Sequence, residues 1–451
     1  MVLAIISCTK EWPEAPTPTA RPEVVSVSPE EWELMVPPGA TISITFDAAM
    51  DLESIRSNSS VADADGNEVA GSWSLSGDTT VVFTPSSNLS QLSRYDVAIE
   101  GAFDDEQNWK GPGARDVYGN SLYEDYATHF TTEGNYGASP MYLSAGPNYG
   151  DQTTIGRIMD FEVETLEGFE GAQGIALSSD GSDLYVADRW GNAVMAVDAA
   201  SFSISATIAL EDTIEEPWIV GIKPDDSEAW ILCRGTNHLV IIETENNTIT
   251  QVLPLNSYCP DGGFLYCIQF NSDGSKVYVS TRLSKSVLRI NTTTYAVEYE
   301  KVVDEVQHIQ DFGISADDSK LYLGNTWGME PSIVIVSATS DMATLGTIDL
   351  PDEWGDAKKM TTYGNYLYVG LRWMGIIYKI DMTTDEVVTY GTVGDEPDDT
   401  GLEGIAVDPT GEVIYAVAPD EEMIALFDTE TLTRIGFIES GSWWHIVTQK
   451  P

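Results

Sequence analysis

The chain has 451 residues, 42% of them hydrophobic, which is enough for more than one domain with a sizeable core. Seventy-two acidic residues stand against 22 basic ones, a net charge of −50, and this excludes nonspecific binding to nucleic acid or anionic lipid, which carry the same sign. No apolar run reaches eighteen residues, so no transmembrane helix is expected.

Residues 1–21 read MVLAIISCTKEWPEAPTPTAR. Ile5-Ile6-Ser7-Cys8 resembles a bacterial lipobox, which implies lipidation at Cys8. Seven residues precede Cys8 and none is basic, so the stretch reads as a truncated lipoprotein signal running into a Pro/Thr-rich tether. Thr9 in place of Asp implies the outer membrane or cell surface, with membrane contact through the lipid anchor alone.

Residues 22–133 alternate polar with apolar between Asp-Gly-Asn and Ser-Gly-Asp turns, the pattern of an antiparallel sandwich. The ordered segments SVSP, ITFDAAMD, ADADGN, TVVFTP, YDVAIEG, DVYGN and HFTTE resemble the SbsA-type bacterial Ig-like domain. That resemblance implies a presenting module, with an extra segment at Phe103–Asp116 available as a contact loop. Asp63 to Asn67 starts like a calcium loop but has Ser74 where the bidentate Glu belongs, so no metal site is assigned. Weak calcium binding at Asp104-Asp105 or Asp116–Asn120 stays open. Residues 134–139 read as a linker.

From 140 onward a four-strand unit repeats. In GAQGIALSSDGSDLYVADRWGNAVMAVDAASFSISATIAL, Gly171 to Leu210, no segment has a helical period. The turn at Asp180 recurs at Asp225, Asp273 and Asp317, at spacings of 45, 48 and 44 residues, then in shortened form at Gly364-Asn365 and again at Thr410-Gly411. SWWHIVTQ at 442–449 supplies a lone first strand, and MYLSA, IGRIMDFE and residues 163–168 supply the other three. These readings predict an all-β chain whose Ig-like sandwich precedes a seven-bladed β-propeller over 140–451, closed by one C-terminal strand against N-terminal strands. The phrases GIALSSDGSDLYVADRWGNAVMAVD and GIAVDPTGEVIYAVAP resemble the YVTN-type propeller repeat. That resemblance implies relatives as diverse as surface-layer proteins, lactonase-like enzymes and electron-transfer subunits, so it leaves function open.

Nine residues past each turn Asp stand Arg189, Arg234 and Arg282, then Thr326, with Arg372 at the same place through the shortened turn. Four of 22 basic residues thus share one register, at the loop that faces the channel entrance. Trp190, Trp327 and Trp373 lie beside this register. The arginines either pair with carboxylates of neighbouring blades, such as Asp188, or form an anion-binding rim with the tryptophans. Residues entering the first strands are Gln173, Trp218, Tyr266, Gln310, Glu403 and Trp444, with Asp311, Lys358 and His445 nearby. They suit a small-molecule site or a packed channel. Cys259 and Cys267 flank PDGGFLY, and an exported context predicts a disulfide between them, with Cys233 a buried thiol.

No catalytic set appears, so the expectation is an exported binding or interaction protein whose propeller loop face takes a protein, a glycan or a small anionic ligand. Its ligand residues are expected to be Arg189, Trp190, Arg234, Arg282, Trp327, Arg372, Trp373, Trp218, Tyr266 and Trp444. No cofactor beyond possible calcium is implied. The alternatives are a lactonase-like hydrolase using Glu403 and His445, an electron-transfer docking partner, and a purely structural surface protein.

Overall fold

A computed structural model describes residues 21–449, except 105–106, 136, 138, 147–151, 328–329, 340, 352–354 and 395–400. Cys8 and Asp105 therefore lie outside the described residues. The chain divides into two compact units between Gly134 and Asn135.

The first unit is a sandwich of two four-stranded sheets. Strands Val24–Ser28, Ile42–Phe46, Thr80–Pro85 and Gly71–Ser76 make one sheet, and Glu33–Val36, Tyr126–Thr132, Arg94–Ile99 and Ser59–Asp63 make the other. The alternation in ISITF and RYDVAI turns Ile42, Ile44, Phe46, Tyr95, Val97 and Ile99 into the shared core. A helical stretch, Leu52–Ser57, starts where Asp51 accepts a hydrogen bond from the Glu53 amide. Asp63 accepts from the amides of Asp65 and Asn67, and Asp116 from those of Tyr118 and Asn120, so these carboxylates fasten turns.

The second unit holds seven four-stranded antiparallel sheets. The inner strands run Ala172–Leu177, Pro217–Ile222, Leu265–Phe270, His308–Ile314, Asp356–Tyr363, Gly404–Val407 and His445–Val447, which number blades 1 to 7. Each inner strand touches the next, and the seventh touches the first, so the ring closes. In blade 7, His445–Val447 pairs with Met141–Ser144, with His445 opposite Ser144. The C-terminal strand thus completes a sheet begun by the N-terminal strands of this unit, as the sequence predicts.

Apolar layers fill the spaces between blades. Tyr185, Val194 and Ala196 of blade 1 pack on Val220, Ile231 and Val240 of blade 2, and equivalent layers recur around the ring. A tyrosine on the second strand donates its hydroxyl across several of these seams. Tyr185 reaches Asn247 Oδ1 at 2.7 Å, Tyr278 the Ala338 carbonyl at 3.0 Å, and Tyr322 the Met382 carbonyl at 3.0 Å.

Candidate functional site

The inner strands carry a shared irregularity. Pairing with the second strand shifts between Ala172 and Ile175, Pro217 and Ile219, Leu265 and Ile268, Ile309 and Phe312, and Ala357 and Lys359. A bulge re-aims the side chain it holds. The residues at the bulges, Gln173, Trp218, Tyr266, Gln310 and Lys358, belong to the set that the sequence places at the channel mouth. Trp218, Tyr266 and Trp444 pack together as an aromatic layer, with 5.4 Å between the Trp218 and Trp444 ring centroids.

The arginine register lies against this layer. Which arginine is neutralised depends on the residue at the entrance to the inner strand of the following blade. For Arg189 that residue is Glu216, which accepts from Arg189 Nη2 at 2.7 Å and Nε at 3.1 Å. For Arg234 it is Phe264, whose ring centroid lies 4.1 Å from the guanidinium carbon, with Trp218 at 4.6 Å. For Arg282 it is His308, whose Nδ1 faces the Arg282 carbonyl, and the guanidinium lies 5.1 Å from Trp327 and 5.4 Å from Tyr266. Arg372 lies 3.0 Å from Glu403 Oε1, although the two atoms are not aligned for a hydrogen bond, and 4.0 Å from the Trp373 ring. Among the described residues no carboxylate lies within ion-pairing distance of Arg234 or Arg282, and both are half-buried. Burial lowers the Arg234 pKa, and Arg189 and Arg282 add to this, while Tyr266 and Glu216 oppose it.

Asp188 is not the arginines' partner. It is buried, and its carboxylate accepts from the amides of Glu170 and Gly171, which fixes the loop entering blade 1. Trp190 and Trp327 are 53% and 62% exposed, so they offer open ring faces. Trp327 and Trp373 sit at φ of 63° and 77°, a left-handed conformation that is costly for a bulky side chain. The Asp356 carboxylate holds Trp327 there through the Trp327 amide at 2.5 Å.

Glu403 and His445 engage different lysines. Glu403 is fully buried and accepts from Lys358 Nζ and, at 2.6 Å, from Trp444 Nε1, with Arg372 alongside. His445 turns its Nδ1 to Lys359 Nζ at 3.4 Å. Burial brings Lys358 down to about 8, against the pull of Glu403, and drives the His445 pKa well below its ordinary value.

Farther along the inner strands, past the aromatic layer, lies a cavity of about 160 Å³. Asp311 borders it and accepts from Cys267 Sγ at 3.1 Å and from the amides of Phe312 and Met360. Tyr266 donates to Gln310 Oε1 at 3.1 Å. The sequence reading missed Lys359 as a lining residue and Phe264 and Glu216 as the facing register. Their common offset, two residues before Trp218 or Tyr266, was the available signal.

The predicted disulfide is absent. Cys233, Cys259 and Cys267 are all free and buried. Cys259 follows the turn Asn256–Tyr258 and packs in the layer between blades 2 and 3, whereas Cys267 sits at the blade 3 bulge and packs in the layer toward blade 4. The short spacing therefore sends the two sulfurs into different layers.

Residues 18–132 match the family described as bacterial Ig-like domain. No curated protein matches the sequence. The structure is similar to a protein from Lactobacillus plantarum at TM-score 0.54 and 13% identity, covering 68% of this chain and 98% of that one. It is also similar to a putative 6-phosphogluconolactonase from Bacteroides fragilis at TM-score 0.52 and 14% identity, covering 70% and 99%. A functionally unknown protein from Desulfotomaculum acetoxidans gives TM-score 0.53 and 12% identity, covering 68% and 99%. At these identities the likeness shows the propeller fold alone.

Proposed function

We propose that this is an exported binding protein whose propeller loop face holds an anionic, ring-bearing ligand between Arg234, Arg282 and the aromatic faces of Phe264 and Trp327. One observation carries the reading. In a chain of net charge −50, two adjacent half-buried guanidiniums have no carboxylate within ion-pairing distance among the described residues, while Arg189 and Arg372, in the same register, each have one. A cation withdrawn from water without a counter-ion is a standing cost that a bound anion relieves. The neighbouring rings add stacking surface suited to a uronic acid, a sulfated sugar or an aromatic carboxylate. The Ig-like domain match fits an extracellular role, and a lipid anchor at Cys8 would tether the protein to a membrane.

The test is calorimetric titration of wild type and Arg234→Gln/Arg282→Gln with uronic-acid and sulfated oligosaccharides. Saturable binding weakened at least tenfold in the double variant is expected, with Arg189→Gln affecting it less. No binding by any of these anions, or binding indifferent to the double variant, overturns the reading. A hydrolase acting through Glu403 is disfavoured because that carboxylate is enclosed and already engaged by Lys358, Arg372 and Trp444.

A further inference from the structure

The cavity past the aromatic layer has a polarity that its own walls do not satisfy. Its lining includes one ammonium, Lys359, and one carboxylate, Asp311. The Asp311 oxygens already accept from Cys267, Phe312 and Met360. The donors are less well served. Trp444 Nε1 is taken by Glu403, but Trp218 Nε1, on a residue 1% exposed, has no hydrogen-bond partner among the described residues. His445 Nε2 has none either.

The His445 tautomer follows from its neighbour. An ammonium can only donate, so Nδ1, facing Lys359 Nζ, must be the acceptor, and in a neutral ring the proton then sits on Nε2. Burial beside Lys358 and Lys359 keeps the imidazole neutral. Two unsatisfied N–H groups and an ammonium therefore belong to side chains lining one chamber. An unsatisfied buried donor is costly, so a partner is favoured. The wall also carries Gln269 and Gln310, alongside the hydrocarbon of Val220, Ile268 and Ile405. A cavity of about 150 Å³ takes a molecule of benzene's size.

We propose that this chamber binds a short-chain monocarboxylate of about three to five carbons, its carboxylate on Trp218 Nε1, His445 Nε2 and Lys359 and its hydrocarbon against Val220, Ile268 and Ile405. The chamber shares Trp218 and Tyr266 with the floor of the arginine rim, but none of its carboxylate donors is a rim arginine, so it does not depend on the rim's function.

The experiment titrates the full chain with acetate, propionate, butyrate and valerate, using sodium chloride at equal ionic strength as the control. Heat is read by calorimetry and the indole N–H resonances by NMR, with the Trp218 signal assigned by its loss in Trp218→Phe. Expected are saturable binding that strengthens from acetate to butyrate, a shift of the Trp218 indole resonance, and affinity at least tenfold weaker in Trp218→Phe and in Lys359→Gln. Arg234→Gln/Arg282→Gln removes no carboxylate donor of the chamber and should weaken binding far less than Trp218→Phe does, so failure here and failure at the rim are distinguishable. Trp218→Phe keeps an aromatic ring in the layer, and its folding is checked by its thermal transition. The proposal is overturned if no acid saturates, if chloride gives the same shift, or if Trp218→Phe folds and binds as wild type does.

Discussion

Trp444 Nε1 stands 2.6 Å from Glu403 Oε2, at the centre of a ring in which Lys358 and Arg372 approach the same fully buried carboxylate. One anion therefore balances two cations and satisfies an indole. Removing one partner of a buried ion pair costs about 3–5 kcal/mol, because the charge left behind has neither water nor a counter-ion. Glu403→Leu should lose at least that much stability in urea unfolding, and Glu403→Gln less, since an amide oxygen can still accept. Loss below about 1 kcal/mol for Glu403→Leu would show that water reaches the cluster.

Lys358 gives the cluster a pH signature. Its folded pKa is about 8, while an unfolded lysine titrates near ~10.4. Between these values the unfolded chain holds more protons, so stability contributed through this group rises with pH. The cost of burying its charge is present below pH ~8 and is relieved as pH climbs toward ~10. Wild type should gain on Lys358→Met by up to about 1.4 kcal/mol per pH unit across that window. Unfolding of both proteins at several pH values from 7.5 to 9.5 checks it, and a flat difference would assign the titration elsewhere.

The inter-blade tyrosines are expected to act as seams. Tyr322 is fully buried and donates toward the Met382 carbonyl and toward Asp385 Oδ1 at 2.6 Å, where Lys320 also binds. Burial and the Asp385 carboxylate push its phenol upward. Tyr322→Phe should destabilise by about 1–2 kcal/mol, since Asp385 and the Met382 carbonyl both keep Lys320 but lose the phenol as a buried donor. Thermal unfolding reads it.

Thiol chemistry separates the structure from the sequence expectation. Alkylation in denaturant without reductant should label Cys233, Cys259 and Cys267 completely. In the native protein all three should react slowly, because burial raises their pKa, to about 12 for Cys259. A mass shift on reduction of the Cys259–Cys267 peptide would restore the disulfide.

The blade count and the closing strand were legible because turns repeat. Asp180, Asp225, Asp273 and Asp317 each accept from the amide two residues on, so selection for that turn leaves a mark at a fixed interval. The arginine register was legible for the same reason. Its partners were not, because a guanidinium spans the seam and meets whatever side chain the next blade offers. Glu216, Phe264 and His308 occupy equivalent places and differ in charge, which only the packed ring reveals. The cysteine pairing failed on direction: spacing along the chain says nothing about a bulge that turns Cys267 away from the layer holding Cys259.

The pairing of His445 with Ser144 joins residues 301 positions apart. Every other sheet of the ring is built from strands consecutive in the chain, so each can form as it is delivered. Blade 7 alone has to wait. Until residues 445–447 arrive, the strand Met141–Ser144 presents an unpaired edge, the kind of surface that recruits another chain. A nascent or truncated polypeptide is thus competent in six sheets and adhesive in one. Proofreading of the whole ring falls to its final three-residue strand.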